Sequence, residues 1–121
     1  MKTRTIMITL LACLLGFSTT FAQSKDKKEI NWKTDTLKVF GKCNMCKETI
    51  ESALKKKDGI KSKDWNMNTK LLLVTYNPDV ITLDAIYHKI ANAGYDTDKV
   101  KAPDNAYNKL DNCCKYQRVE N

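Results

Sequence analysis

The periodicity of the chain changes at residue 43, and that change constrains the fold more than any other feature. Thr36-Leu37-Lys38-Val39-Phe40 alternates polar and apolar residues, the repeat of a half-buried strand. Beyond it, Cys46, Ile50, Ala53 and Leu54 recur at i, i+4, i+7 and i+8 and share one helical face, with Lys47, Glu48, Glu51 and Lys55 towards other faces. A strand therefore gives way to a helix within a few residues, and Cys43-Asn44-Met45-Cys46 sits in the junction. Cys46 is expected in the first helical turn, where unpaired backbone N–H groups and the helix dipole favour a thiolate over a thiol. A thiolate is the form that binds a soft metal or attacks a disulfide.

The elements around this junction define an order. The first strand is expected at 34–40 and the first helix at 44–57, ending at the turn signal Asp58-Gly59. A second strand at 60–67 is weakly patterned, with Ile60, Trp65 and Met67 as its apolar positions. Asn68-Thr69 turns the chain into Leu71-Leu72-Leu73-Val74-Thr75-Tyr76, the clearest strand, which Asn77-Pro78-Asp79 ends because proline cannot donate to a ladder. Thr82 suits the N-cap of a second helix whose apolar stripe is Leu83, Ile86, Tyr87 and Ile90, and Gly94 suits its left-handed end. Residues 95–100 offer a short last strand. The order βαββαβ points to an α+β open-faced sandwich, an antiparallel sheet with both helices on one side, occupying residues 34–101. Its apolar positions suffice for one small core.

Residues 1–22 read as a secretory signal peptide. Lys2 and Arg4 precede a mostly apolar stretch from Ile6 to Phe17, and Thr20-Phe21-Ala22 fits a cleavage site after Ala22. The expected location is therefore periplasmic or secreted. Leu10-Leu11-Ala12-Cys13 resembles a lipobox, but the apolar residues after Cys13 disfavour a lipoprotein, which normally continues with a polar linker. Removing residues 1–22 removes Lys2 and Arg4 and no acidic residue, taking the formal charge from +7 to +5. The lysines are scattered, apart from Lys55-Lys56-Lys57 at the expected end of the first helix, and no basic stripe with interleaved aromatics suggests nucleic acid. Residues 23–33 are polar and read as a linker, and 102–121 form a C-terminal extension carrying Tyr107, Leu110, Cys113, Cys114 and Tyr116.

Cys43 and Cys46 are the primary candidate ligands. Two thiolates on a partly exposed loop can approach an ion from opposite sides, and softness favours Cu(I) or Hg(II), with Zn(II) requiring further donors. Several spaced features then agree with a known family: Cys43-x-x-Cys46, Ile50-Glu51 with Ala53-Leu54, Gly59-Ile60, Leu73-x-Thr75-Tyr76-Asn77-Pro78, and Ala93-Gly94-Tyr95. On these, residues 36–100 resemble a heavy-metal-associated domain, the family of copper chaperones, mercury-scavenging periplasmic proteins and the N-terminal modules of metal-pumping ATPases. The resemblance implies a ferredoxin-like fold, metal held by Cys43 and Cys46, and handover by thiolate exchange to a metal-transporting membrane protein or another thiolate carrier. It also places the Tyr95 ring near the metal, where ordinary core packing is the alternative.

The chain departs from the family pattern in two places. Phe40, Gly41 and Lys42 replace the usual Gly-Met-Thr or Gly-Met-His, so Met45 either packs the loop or acts as a weak soft ligand, and Lys42 could offset bis-thiolate charge. The second departure is Cys113-Cys114. Residues 102–112 could span roughly 35 Å if extended, enough to return one or two thiolates to Cys43 and Cys46. That would build a three- or four-sulfur site or a Cu(I) cluster, the alternatives being a disulfide to the loop or an independent surface dithiol.

The expected function is thus non-enzymatic: an exported protein that sequesters or transfers a soft metal ion, Cu(I) first, as a monomer with a metal-bridged dimer as the alternative. No Ser/His/Asp set or carboxylate pair suggests catalysis, and His88 falls off the apolar stripe. The competing readings are a mercury(II) scavenger, a thiol–disulfide oxidoreductase and a disulfide-stapled interaction domain. The oxidoreductase reading is weakened because the chain lacks the β-α-β order ahead of its later strands that a thioredoxin-like fold requires.

Overall fold

The computed structural model describes residues 28–120. The expected signal peptide, its cleavage after Ala22, Cys13 and most of the linker lie outside the described residues. The regular elements are β1 (Lys33–Lys38), α1 (Asn44–Ser52), β2 (Ile60–Trp65), β3 (Leu71–Tyr76), α2 (Leu83–Asn92) and α3 (Asp104–Asn108), with single 3₁₀ turns at Lys56–Asp58 and Asn112–Cys114. The sheet order is β1-β3-β2, antiparallel throughout.

β3 is central because it pairs with β1 on one side and β2 on the other, with one face on the core and the other towards solvent. Leu72, Val74 and Tyr76 are buried, whereas Leu71 and Leu73 are 41% and 51% exposed. Both helices bury their stripes in the same core, Cys46 and Ile50 from α1 and Ile86, Tyr87, Ile90 and Ala91 from α2. Thr82 caps α2, its Oγ1 accepting the Ala85 N–H at 3.1 Å. The weak pattern of β2 also has a cause. Ile60 and Trp65 lie five residues apart, which strict alternation would place on opposite faces, yet both are buried. A register shift between Ile60 and Ser62 restores the parity.

Several boundaries differ from the sequence expectation, β1 running over Lys33–Lys38 in place of 34–40. α1 ends at Ser52 instead of 57, because Lys55, Lys56, Lys57 and Asp58 bring no apolar residue to the inward face. The chain instead turns Leu54 fully into the core and bends through the 3₁₀ turn to Gly59, at φ +92°. The lysine triplet therefore does not complement the end of α1. β2 stops at Trp65, where the indole N–H donates to the Val39 carbonyl at 3.0 Å.

The fourth strand shrinks to a single bridge between Val39 and Thr97. Thr97 Oγ1 takes the N–H groups of Lys99 and Val100, and the Asp96 carboxylate takes that of Ala102 at 2.7 Å. These local side-chain bonds bend the chain away from β1 and outcompete the ladder.

The tail beyond that bend folds back over the domain. α3 and the 3₁₀ turn at Asn112–Cys114 lie along it, with Cys114 and Tyr116 joining the core. Gly94, at φ +107°, ends α2 and lies tight under the tail: a Cβ there would stand 2.9 Å from the Ala106 carbonyl oxygen and from Leu110 Cδ2.

Candidate metal centre

The loop between β1 and α1 is shaped by a close approach of backbone to Trp65. A Cβ on Gly41 would stand 2.8 Å from the Trp65 ring, so only glycine lets the chain pass there on its way to Cys43. Cys43 occupies the N-cap of α1 in extended conformation, φ −145° and ψ 178°. Its carbonyl accepts the Cys46 N–H at 3.0 Å, which sets Cys46 in the first turn. The Lys42 N–H donates to Cys46 Sγ at 3.3 Å. The two sulfurs stand 3.7 Å apart. Cys43 is half-buried and Cys46 fully buried, so the pair is less exposed than an open loop would leave it.

The tail brings two more sulfurs. Cys114 Sγ lies 3.9 Å from Cys43 Sγ, and Cys113 Sγ lies 3.9 Å from Cys114 Sγ. The thiols of Cys43, Cys113 and Cys114 are all within 4.8 Å of one another. Cys43 Sγ also donates to the Cys113 carbonyl at 3.4 Å, and Cys113 Sγ touches Met45 Sδ at 3.3 Å. All four thiols are free. His88 stands apart on an exposed face, 3.6 Å from Asp84.

The thiols differ in charge preference. The Cys46 backbone N–H, at the positive end of α1, holds the Cys43 thiol down to about 7, overcoming its partial burial, with help from the Cys46 side chain and the Met45 N–H. Burial pushes Cys114 up to about 12, reinforced by the neighbouring sulfurs. Tyr95 is fully buried beside Cys46 and Cys114, and its hydroxyl has no hydrogen-bond partner. Burial holds that hydroxyl protonated, well above the ordinary tyrosine value.

Sequence reasoning did not anticipate the groups that hold the tail in place. Tyr116 stacks on Tyr95 at 5.8 Å between centroids and meets Tyr107 edge-on at 5.1 Å. Its hydroxyl accepts the Asp96 N–H at 2.7 Å and donates to the Gly94 carbonyl at 2.9 Å. Arg118 grips Asp96 with two bonds, Nε at 2.9 Å and Nη2 at 2.8 Å, and reaches the Ala102 carbonyl and Asp104. Burial alone would raise the Asp96 pKa, but Arg118 and the Ala102 N–H lower it below the usual carboxylate range. One signal was available: Arg118 is the sole arginine after residue 4 in a lysine-rich chain, and a planar bidentate fork is what lysine cannot supply.

With metal–sulfur bonds of about 2.3 Å, collinear sulfurs stand about 4.6 Å apart, whereas the edges of a trigonal site are about 4.0 Å. The observed 3.7–3.9 Å are ordinary contact distances for thiols and also close to trigonal edges. The donor set is all sulfur, which suits soft ions.

Comparison with known proteins places residues 36–96 within the heavy-metal-associated domain model. The mercuric transport protein periplasmic component of Shewanella putrefaciens is 39% identical over 64 residues, 52% of this chain and 70% of that protein. The copper chaperone CopZ of Staphylococcus saprophyticus is 31% identical over 64 residues, 52% of this chain and 94% of that protein. A copper-exporting P-type ATPase of the same species is 34% identical over 70 residues, 57% of this chain, of which the chain spans 9% of the length. Among solved structures, oxidised MerP from Ralstonia metallidurans superposes with a TM-score of 0.51 at 28% identity, covering 55% of this chain and 93% of that one. The tail with Cys113 and Cys114 lies outside the matched model. From its strand–loop–helix cysteine pair, its antiparallel sheet and these matches, the chain belongs to the heavy-metal-associated domain family.

Proposed function

We propose that the protein is an exported carrier that binds a soft metal ion, Cu(I) first, through Cys43 and Cys46, and passes it by thiolate exchange to a metal-transporting membrane protein or another thiolate carrier. The observation that carries the reading is the sulfur pair at the N-terminus of α1, 3.7 Å apart, with Cys43 poised to ionise near neutral pH. At that pH Cys43 can release its proton to solvent and bind, and the cation then favours ionisation of the second thiol. The names of the relatives, a copper chaperone, a copper-exporting ATPase and a mercuric transport protein, support a soft cargo in general terms. Export rests on the signal-peptide pattern of residues 1–22.

The orphaned Tyr95 hydroxyl fits the same reading. A buried O–H without an acceptor is costly, and a negatively charged, metal-bound sulfur beside it would accept that bond. Cu(I) and Hg(II) both suit an all-sulfur donor set, and competition titration separates them. Zn(II), a borderline-soft ion that takes four donors, ranks after the softer ions at this all-sulfur site.

Anaerobic competition titrations of the reduced protein with Cu(I) and with Hg(II), beside the Cys43→Ser/Cys46→Ser variant, test this. The variant should lose at least about a thousandfold in Cu(I) affinity. Tighter selection of Hg(II) over Cu(I), against a common thiol competitor, would turn the reading to the mercury scavenger. Equal Cu(I) binding by wild type and variant would end the carrier reading.

A further inference from the structure

We propose that Cys113 and Cys114 join Cys43 as a trithiolate site for a soft, thiophilic metal ion, so that tail and loop hold the ion together and Cys46 serves as the second ligand when the tail thiols are absent. The inference rests on the soft-metal reading above and specifies which sulfurs complete the site. Their thiols are mutually within 4.8 Å, with two edges of 3.9 Å, close to the edge of a trigonal sulfur site. A two-sulfur loop needs no such visitor. Here residues 71 positions apart are brought into contact by a tail with dedicated anchors at Tyr116 and Arg118. Those anchors pre-organise the dithiol, so little ordering entropy remains to be lost on binding.

Three further features suit the assignment. Cys114 is 3% exposed, so it presents its sulfur to the other cysteines and not to solvent. Met45 Sδ, 3.3 Å from Cys113 Sγ, places a further soft atom at the rim. Lys42 and Lys115, each adjacent in sequence to a cysteine of the set, line one groove with Lys70, and their charge offsets the net −2 of a Cu(I) trithiolate. Binding is an acid–base and ligation step only: the thiol protons leave to solvent, three sulfur–metal bonds form and no electron moves.

The test is copper X-ray absorption on the reduced protein loaded anaerobically with one equivalent of Cu(I), with chelator competition alongside. Three sulfur neighbours are expected in the wild type and two in Cys113→Ser/Cys114→Ser, with affinity about tenfold lower or more in the variant. The sulfur count in the wild type needs no variant to fold. Two sulfurs in the wild type, with the tail variant binding equally well, would overturn the tail site and leave the Cys43–Cys46 carrier standing. Wild-type binding no tighter than that of Cys43→Ser/Cys46→Ser would remove both.

Discussion

The chain carries two cysteine pairs placed by different physics. Cys43 and Cys46 are placed by regular structure: a strand delivers one, the first turn of a helix holds the other, and backbone N–H groups face their sulfurs. Cys113 and Cys114 sit in a single 3₁₀ turn of a tail with little regular structure, and side chains hold it down. Tyr116 and Arg118 tie it to the domain through one aromatic stack on Tyr95, two hydroxyl hydrogen bonds and a bidentate ion pair with Asp96. The difference teaches that the loop pair is as stable as the domain core, while the tail pair depends on a few polar contacts that can be lost separately.

The largest test of that contrast removes what the loop leans on. Trp65→Ala should destabilise the whole domain by about 3–5 kcal/mol, because it empties a fully buried site that packs Gly41 and bonds Val39. Thermal or denaturant unfolding measures it, and both cysteine pairs should become reactive to thiol reagents together. A fall under about 1 kcal/mol would mean the loop does not depend on this packing.

A smaller change should separate the pairs. Tyr116→Phe keeps the ring and removes the hydroxyl, leaving the Asp96 N–H and the Gly94 carbonyl short of a buried partner. The expected cost is about 1–3 kcal/mol, felt in the tail. Hydrogen exchange should quicken at residues 112–118 while the β3 amides keep their protection. Equal loss in both regions would show one cooperative unit.

The smallest effect is acid-dependent. Arg118 and the Ala102 N–H hold the Asp96 pKa below its released value of about 3.9. Stabilisation from this pair is complete above that value and disappears as pH falls through the lowered native one. Tail protection should therefore fall in that acid window in the wild type, and Arg118→Gln should be looser at neutral pH with the acid step reduced. An unchanged acid step in Arg118→Gln would assign the effect to another carboxylate.

Local pattern was legible where local physics decides. The apolar strand run of residues 71–76, the Thr82 cap and the Gly94 end were readable because each depends on neighbours within a few positions. The overlong first helix and the fourth strand show the limit. The Asp58-Gly59 turn signal carried α1 through lysines that had nothing to bury, and the short strand expected at 95–100 lost to side-chain bonds from Asp96 and Thr97. Loop and tail cysteines were both visible as candidates, but length alone allowed the tail to return without requiring it.

The sequence by itself determined the βαββα frame and a dithiol at the strand–helix junction, because periodicity and helix-terminus chemistry are written in consecutive residues. Tertiary structure alone decided that Cys114 would lie 3.9 Å from Cys43, that Cys46 would be closed off from solvent, and that Tyr95 would face the sulfurs with an unpaired hydroxyl. The approach of Cys114 to Cys43 depends on the Tyr116 stack and the Arg118–Asp96 pair, contacts made across some twenty residues of chain and sealed by burial. No local signal encodes such contacts, since their strength exists only once water has been excluded around them.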